Sequence, residues 1–207
     1  MPAADSESGA GPQKSFFSGI VLANAPEDRN NEEREDNMSD KVLVAYGSKH
    51  GMTGEIAERI GKVIRDAGFA VDVSPAGTAK SPADYRAVIL GSGVYAGMWR
   101  RQAAKYLRTH EAELAKKPVW LFSSGPTGSG DLEKLLGGWS FPGGLRAVAE
   151  RIKPRGTVVF RGAFDEAKAG FFEKWIMKKV KAEYGDFRDW PVIEAWAQEI
   201  ATTLKVI

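Results

Sequence analysis

The residues with the clearest capacity for chemistry lie in a glycine-rich stretch, from Tyr46 to Gly54, between an apolar run and a segment of helical spacing. Backbone N–H groups at a helix N-terminus bind anions, and the hydroxyls of Ser48 and Thr53 would add donors. The stretch has neither the G-x-x-x-x-G-K-[S/T] spacing of triphosphate loops nor the G-x-G-x-x-G spacing of dinucleotide sites. It therefore predicts a cradle for a small phosphomonoester, the alternative being a glycine-bearing turn that binds no ligand. The predicted anion-binding residues are Ser48, Lys49, His50, Gly51, Met52 and Thr53.

Two further loops, each following a later apolar run, contain residues suited to binding a flat ring. In the first, glycines let the backbone approach a ring closely, and Tyr95 provides a stacking face. The second is small and polar, which suits hydrogen bonding to a ring edge. Trp99 shares the helical phase of Ala103 and Tyr106, which favours a place in the core over stacking. The predicted ring-binding residues are Gly93, Val94, Tyr95, Ala96 and Gly97 in the first loop and Ser123, Ser124, Gly125 and Pro126 in the second.

The composition limits the chemistry that these loops can support. The sequence has no cysteine, which excludes thiolate chemistry and cysteine-ligated metal centres, so a bound cofactor would have to carry any electrons. With two histidines we predict no metal site, and no side chain is singled out as catalytic. Residues 1–40 carry nine acidic and three basic side chains, which leaves 26 basic and 18 acidic ones and a net charge of +8 in residues 41–207. A basic surface favours anionic partners, although solubility alone would also account for it.

Apolar runs alternate with helical patterns from residue 41 onward, whereas residues 1–40 form an acidic leader that is predicted to be disordered. Strands that are apolar throughout imply a parallel sheet covered on both faces. We therefore predict one doubly wound α/β domain over residues 41–207, with five parallel strands in the order 2-1-3-4-5, helices on both faces and a ligand beyond the carboxyl ends of the strands. The predicted strands are 42–45, 71–73, 87–90, 119–122 and 157–160, and the predicted helices are 56–67, 99–114, 144–153 and 189–204.

With these motifs in place, the region from Lys41 to Phe122 resembles the flavodoxin superfamily, whose S/T-x-x-G-x-T phosphate loop matches residues 48–53. More narrowly, the segments 51–57, 90–97 and 172–179 are similar to the menaquinone-dependent protoporphyrinogen oxidase branch. The resemblance implies a flavodoxin-like, FMN-binding domain. It further implies an FMN-dependent oxidoreductase resembling the protoporphyrinogen IX dehydrogenase (quinone) of haem biosynthesis.

Two other functions are compatible with a fold of this class. One is a flavodoxin-type electron carrier without a small-molecule substrate of its own. Carriers of this type are usually acidic and dock on basic partners, whereas the net charge of residues 41–207 is positive. The other is a receiver-type signalling domain, which needs an acidic pocket after the first strand and an aspartate after the third. Gly47-Ser48 and Ser92-Gly93 occupy those positions, which disfavours a receiver.

An insert from Phe164 to Arg188 separates the last strand from the last helix. Within it, residues 171–183 place apolar side chains such as Phe172 and Trp175 on one helical face and lysines elsewhere, which is typical of a helix resting on an anionic membrane. A helix packed on the sheet with a solvated lysine face is the alternative. We expect a small-molecule redox substrate or quinone, or a redox protein, as partner, and no nucleic acid. The expected location is cytoplasmic, including the inner face of the cell membrane.

Overall fold

The structure, a computed structural model, describes residues 40–168, 170, 171, 175 and 183–207. The predicted disordered leader, apart from Asp40, lies outside the described residues, and so do most residues of the predicted membrane-contacting segment 171–183. Two aromatic residues of that segment are described, and both are exposed, Phe171 at 91% and Trp175 at 53%. Within the described ranges no helix combines the length and the apolar character needed to cross a membrane.

Five parallel strands form the centre of the fold, and a sixth, short strand is attached to one of them. The strands are β1 (Val42–Gly47), β2 (Val71–Pro75), β3 (Ala87–Tyr95), β4 (Met98–Trp99), β5 (Val119–Ser124) and β6 (Gly156–Phe160). The order β2-β1-β3-β5-β6 confirms the predicted order 2-1-3-4-5, because β4 only pairs antiparallel with the end of β3. Residues 42–45 and 87–90 are fully buried, as expected for central strands covered on both faces.

Helices cover both faces of this sheet, as predicted. They are α1 (Met52–Asp66), α2 (Arg101–Thr109), α3 (Glu111–Leu114), α4 (Leu132–Leu136), α5 (Arg146–Ile152) and α6 (Trp190–Leu204). Side chains alternate along a strand, so Val42 and Val44 of β1 pack with α1 and α6, whereas Leu43 and Ala45 pack with α2, α3 and α5. The predicted start of the last helix is also confirmed, because the Asp189 carboxylate accepts a hydrogen bond from the Val192 N–H (3.2 Å).

Trp99 lies in β4, and the prediction that it begins a helix was wrong. Ala96 (φ 50°) and Gly97 (φ 74°) both have left-handed backbone, and this two-residue turn matches the twist of antiparallel strands. The turn reverses the chain, so that Trp99 pairs with Val94 and the helix begins two residues later. Its predicted place in the core is confirmed, because Trp99 is buried and its indole Nε1–H donates to Ser123 Oγ (2.9 Å).

Short elements fill the remaining chain. The predicted helix at 144–153 is a 3₁₀ turn, Gly143–Leu145, followed by α5, whereas α4 was not predicted. The predicted helix at 99–114 is divided into α2 and α3 at His110, whose backbone is not helical (φ −105°, ψ 19°). Strands β7 (Ala163–Phe164) and β8 (Gly185–Asp186) pair antiparallel and bring the two ends of the 164–188 insert together. Two further 3₁₀ turns span Pro82–Asp84 and Glu166–Lys168.

Candidate functional site

A cavity of about 410 Å³ opens at the carboxyl edge of the sheet, where β1, β3 and β5 end. This volume lies within the range of roughly 300–1,000 Å³ that is typical of small-molecule sites. The three loops predicted to carry chemistry meet there, because the carboxyl ends of parallel strands share one edge. The predicted residues that line the cavity are Ser48, His50, Met52, Thr53, Gly93, Val94, Tyr95, Ala96, Gly97, Ser124, Gly125 and Pro126.

The first turn of α1 forms one side of the cavity. Gly51, with a left-handed φ of 92°, precedes the helix, and its N–H donates to Ser48 Oγ (3.0 Å). Helical hydrogen bonding begins with the Glu55 N–H, which donates to the Gly51 carbonyl (3.1 Å), so the amides of residues 52–54 come before the ladder and have no intrahelical acceptor. These amides, the positive end of the helix dipole and the Thr53 hydroxyl together suit an anion.

Close contact with β3 fixes the position of Thr53, which is 5% exposed. A Cβ added at Gly93 would lie 2.9 Å from Thr53 Oγ1, closer than side chains normally approach. Glycine at position 93 therefore allows the first turn of α1 to sit directly against the sheet. A residue larger than glycine at position 93 would fill the space between β3 and the first turn of α1.

Aromatic side chains line another side of the cavity, around the hairpin between β3 and β4. The Trp139 indole Nε1–H donates to the Gly97 carbonyl (3.1 Å) and ties the segment after α4 to the hairpin turn. The guanidinium carbon of Arg100 lies 5.0 Å from the ring centroid of Tyr95, within the range of a cation–π contact. Tyr95 and Trp139 thus give the cavity an aromatic lining suited to a flat ring.

Three predicted residues do not line the cavity: Lys49, Gly51 and Ser123. Ser123 is fully buried, and its hydroxyl accepts the hydrogen bond from Trp99, so it joins β4 to β5 instead of facing a ligand. Side chains alternate across a strand, and Ser124, the next residue, is the one that lines the cavity. A run of small polar residues carries no signal that tells these two faces apart.

Seven lining residues were missed, and all of them come after β5 in the chain. They are Thr127, Leu135, Leu136, Trp139, Gly162, Ala163 and Phe164. Leucines and a tryptophan inside a glycine-rich insert were the available signal, since isolated apolar residues of this kind need a partner surface. Their spacing did not indicate which surface that is. None of the residues that line the cavity, all of which are described, is acidic, so nothing in the lining repels an anion.

One buried cation braces the anion-binding side from behind. The side chain of Arg188 is 5% exposed, and it donates to the Met52 carbonyl (3.1 Å), to Glu55 (2.8 Å) and to both carboxylate oxygens of Asp186. It also lies over the ring of Trp190, 4.6 Å from the centroid. The hydrogen bonds from Arg188 hold the pKa of the Asp186 carboxyl below its usual value of 3.8. Arg188 therefore links the end of the insert to the first residue of α1.

A ligand with a phosphate ester and a flat ring fits this donor set. Ser48, Met52 and Thr53, at the start of α1, line one part of the cavity, and Tyr95 and Trp139 line another. The family model described as the flavodoxin domain matches residues 43–190. The chain belongs to the flavodoxin domain family. Members of this family bind FMN, the cofactor that the sequence predicted.

Solved structures of the flavodoxin fold resemble this domain. A flavodoxin from the domain Archaea has a TM-score of 0.52 and 18% identity, over 80% of this chain and 99% of its own. The rubredoxin oxygen:oxidoreductase of Desulfovibrio gigas (TM-score 0.51, 18% identity) and the Flv1 flavodiiron core of Synechocystis sp. PCC6803 (TM-score 0.55, 17% identity) each align with 86% of this chain. The alignment spans only 39% and 40% of those two chains. At these identities the likeness shows the fold alone.

No curated protein sequence matches the chain significantly. The family model supports the flavodoxin resemblance, and the narrower resemblance to the protoporphyrinogen oxidase branch is not confirmed by any of these comparisons. The binding of FMN by the individual residues named above stays a prediction.

Proposed function

We propose that the chain is an FMN-dependent oxidoreductase that dehydrogenates a small molecule of its own, with protoporphyrinogen IX as the substrate and a quinone as the electron acceptor. The observation that carries the FMN assignment is the cavity in which a helix N-terminus, an aromatic lining and the absence of acidic lining residues occur together. The substrate assignment is supported by the resemblance of the segments 51–57 and 90–97 and by the net charge of +8 in residues 41–207, which favours a carboxylated substrate.

FMN, when bound, would supply the electron-accepting ring, and the residues of this chain would bind and orient it. The amides of residues 52–54 and the hydroxyl of Thr53 would hold the phosphate. Tyr95 would cover the ring, and Trp139, fixed to the hairpin turn through the Gly97 carbonyl, would shield it from water. No side chain needs to act as a general base in this scheme.

A second candidate is an electron carrier without a substrate. It is favoured by the family model of the flavodoxin domain, which matches residues 43–190. The positive charge of residues 41–207 speaks against a carrier of the usual acidic type, because such a carrier docks on basic partners and this domain would repel them.

The absorption spectrum of the purified protein tests FMN binding, and anaerobic mixing tests the substrate. We expect a yellow protein whose flavin absorbance is bleached by protoporphyrinogen and restored by menadione. A yellow protein that protoporphyrinogen does not bleach would exclude the proposed substrate, and two well-separated one-electron steps in a reductive titration would then favour the carrier. A colourless protein that does not take up added FMN at micromolar concentration would overturn the proposal as a whole.

We further propose that the insert meets an anionic membrane surface, where a quinone is found. The exposure of Phe171 and Trp175 and the lysine content of residues 174–181 support this contact. Co-sedimentation with vesicles that contain phosphatidylserine is expected, and the Phe171→Ser/Trp175→Ser variant is expected to stay in solution. Val206→Ser, which changes another exposed apolar residue, serves as the control. Equal sedimentation of all three proteins would contradict the proposal.

A further inference from the structure

A second cleft, of about 560 Å³, lies beside the first cavity, between α2 and residues 142–145. Helix α2 contributes three exposed cationic side chains, Arg101, Lys105 and Arg108. Their spacing of four and three residues places them on one face of the helix. The buried residues Trp99, Pro142 and Leu145 form the apolar part of its lining. We call this surface the basic cleft, and its lining residues are Met98, Trp99, Arg101, Ala104, Lys105, Arg108, Thr109 and residues 142–145.

The positive charge of the basic cleft is not balanced within the described part of the chain. None of its lining residues is acidic, and α2 contains neither aspartate nor glutamate. The acidic residues that follow α2 have other partners: Glu111 pairs with Arg151, and Glu113 pairs with His110. Like charges four residues apart destabilise a helix by about 0.2–0.5 kcal/mol per pair. The cluster therefore destabilises α2 taken by itself.

The basic cleft and the candidate cofactor cavity share the β3–β4 hairpin. Met98, at the rim of the basic cleft, is 63% exposed and pairs with Tyr95, which lines the cavity. Trp139 also lines the cavity, and the chain continues from it to residues 142–145 of the basic cleft. A molecule seated in the basic cleft would thus be separated from a bound cofactor by a single hairpin.

We propose that the basic cleft is the docking surface for an acidic redox protein that exchanges electrons with the cofactor in the neighbouring cavity. The inference rests on the proposed function in one respect, since it requires a redox cofactor. An exposed apolar residue next to a row of cations resembles a protein interface, in which methionine and arginine are enriched and charge lies at the rim. Complementary charge also accelerates and orients the encounter of two proteins. The partner would therefore present carboxylates around a small apolar centre.

Native and succinylated cytochrome c provide a matched pair of probes, because succinylation converts the lysines of a basic protein into carboxylates and leaves the haem in place. Binding is measured first, by amide chemical shifts of the full-length protein at low salt. The succinylated form is expected to bind and to shift the amides of residues 98–109 and 142–145, whereas the native form is expected not to bind.

Charge reversal locates the docking surface. Arg101→Glu/Lys105→Glu is expected to weaken binding of the succinylated form at least tenfold. Lys205→Glu, at an exposed position at the end of α6, is expected to change it less than twofold. Glutamate at position 101, in the first turn of α2, is favoured by the helix dipole, and the melting temperature of each variant confirms that it is folded. Arg101→Gln/Lys105→Gln, which removes the cations without adding acids, is expected to weaken binding by a smaller factor.

Electron transfer is measured separately on the dithionite-reduced protein. Two haem irons are reduced from Fe³⁺ to Fe²⁺ for each two electrons that leave the protein, and two protons pass to the solvent. The rate with the succinylated form is expected to fall at least tenfold in the double variant at low salt, and the difference is expected to vanish near 1 M salt, where the Debye length is about 3 Å. The rate of oxidation by menadione, which is neutral, is expected to be the same in the double variant and in the unchanged protein. If menadione does not oxidise the reduced protein at all, that result counts against the proposed function, and the binding measurements alone then decide whether the basic cleft is the docking surface.

Three results would overturn the docking surface. The first is equal binding of native and succinylated cytochrome c, and the second is an equal effect of Lys205→Glu. The third is binding to phosphatidylserine vesicles that the Arg101→Glu/Lys105→Glu change abolishes, since this would identify a membrane as the occupant of the basic cleft.

Discussion

Replacing Gly93 with alanine tests whether the anion-binding side of the cavity depends on close packing between β3 and the first turn of α1. The new Cβ would lie 2.9 Å from Thr53 Oγ1, whereas ordinary contacts begin at 3.4 Å, so the hydroxyl has to move by about half an ångström. Thr53 is buried and branched at Cβ, which leaves it two χ1 rotamers in a helix, so the contact is relieved either by a change of rotamer that re-aims the hydroxyl or by a shift of the first turn. Overpacking of this kind costs about 1–3 kcal/mol.

That cost translates directly into affinity if FMN binding requires the first turn in its original position. Since each 1.4 kcal/mol corresponds to a factor of ten, we expect Gly93→Ala to raise the dissociation constant for FMN by about 10- to 100-fold. The assay is a fluorescence titration of the apoprotein with FMN. Gly143→Ala is the matched control, because a Cβ at that position meets no atom within 4 Å, and its dissociation constant is expected to stay within twofold of the original.

Riboflavin, which has the same ring but no phosphate, separates the two sides of the cavity. Its affinity is expected to fall much less than that of FMN in Gly93→Ala, because the added Cβ is too close to Thr53, which is assigned to the phosphate, and makes only an ordinary contact (3.4 Å) with Tyr95 on the ring side. An FMN affinity that Gly93→Ala leaves unchanged would refute the placement of the phosphate at Thr53. Equal losses for FMN and riboflavin would show that the ring side had been disturbed instead.

Three further substitutions test the framework of the site. Arg188→Ala should lower the free energy of unfolding in urea by about 1–3 kcal/mol, because hydrogen bonds to charged groups are lost, whereas Arg151→Ala, at a solvent-exposed pair, should lower it much less. Gly91→Ala should cost at least about 3 kcal/mol or prevent folding, because its Cβ would lie 2.0–2.3 Å from ring atoms of Phe122. Asp186→Asn should be less stable than the unchanged protein at neutral pH, and the difference should disappear in urea titrations as the pH falls below 3.8. The lowered pKa of this carboxyl means that its stabilisation is present above its unfolded-state value and is lost as the folded protein takes up the proton.

How far the fold can be predicted from the sequence depends on how local the physical cause is. An uninterrupted apolar run such as residues 87–90, short and rich in β-branched residues, favours a strand covered on both faces and so predicts the sheet. The turn at Ala96 and Gly97 was missed, because alanine rarely adopts a positive φ and the residues around it have helical spacing. Trp99 was therefore assigned to a helix, although its burial was predicted correctly.

The candidate site divides in the same way. The glycine-rich stretch and the first turn of α1 are contiguous in the chain, so the sequence indicates a candidate anion site there, whereas the packing of that turn against Gly93 of β3 depends on the fold. The contribution of Trp139 depends on a contact with Gly97, 42 residues earlier in the chain, and no local pattern predicts such a pairing. Arg188 is a stronger case, since it reaches Met52 across 136 residues of chain.

The amino-acid sequence by itself determined the strand order, the coverage of both faces of the sheet and the edge at which a ligand would bind. It did so because the apolar pattern of each strand and helix is local, and an alternation of buried strands with helices fits the doubly wound class, in which the strand order and the ligand-binding edge are restricted. Only the tertiary structure decided which of two adjacent serines faces the cavity, which remote side chains complete its lining, and that three cations of α2 stand beside it without an acidic partner in the described residues. Those outcomes depend on how distant segments pack together, because a side chain's surroundings are set by the whole fold and not by its neighbours in sequence.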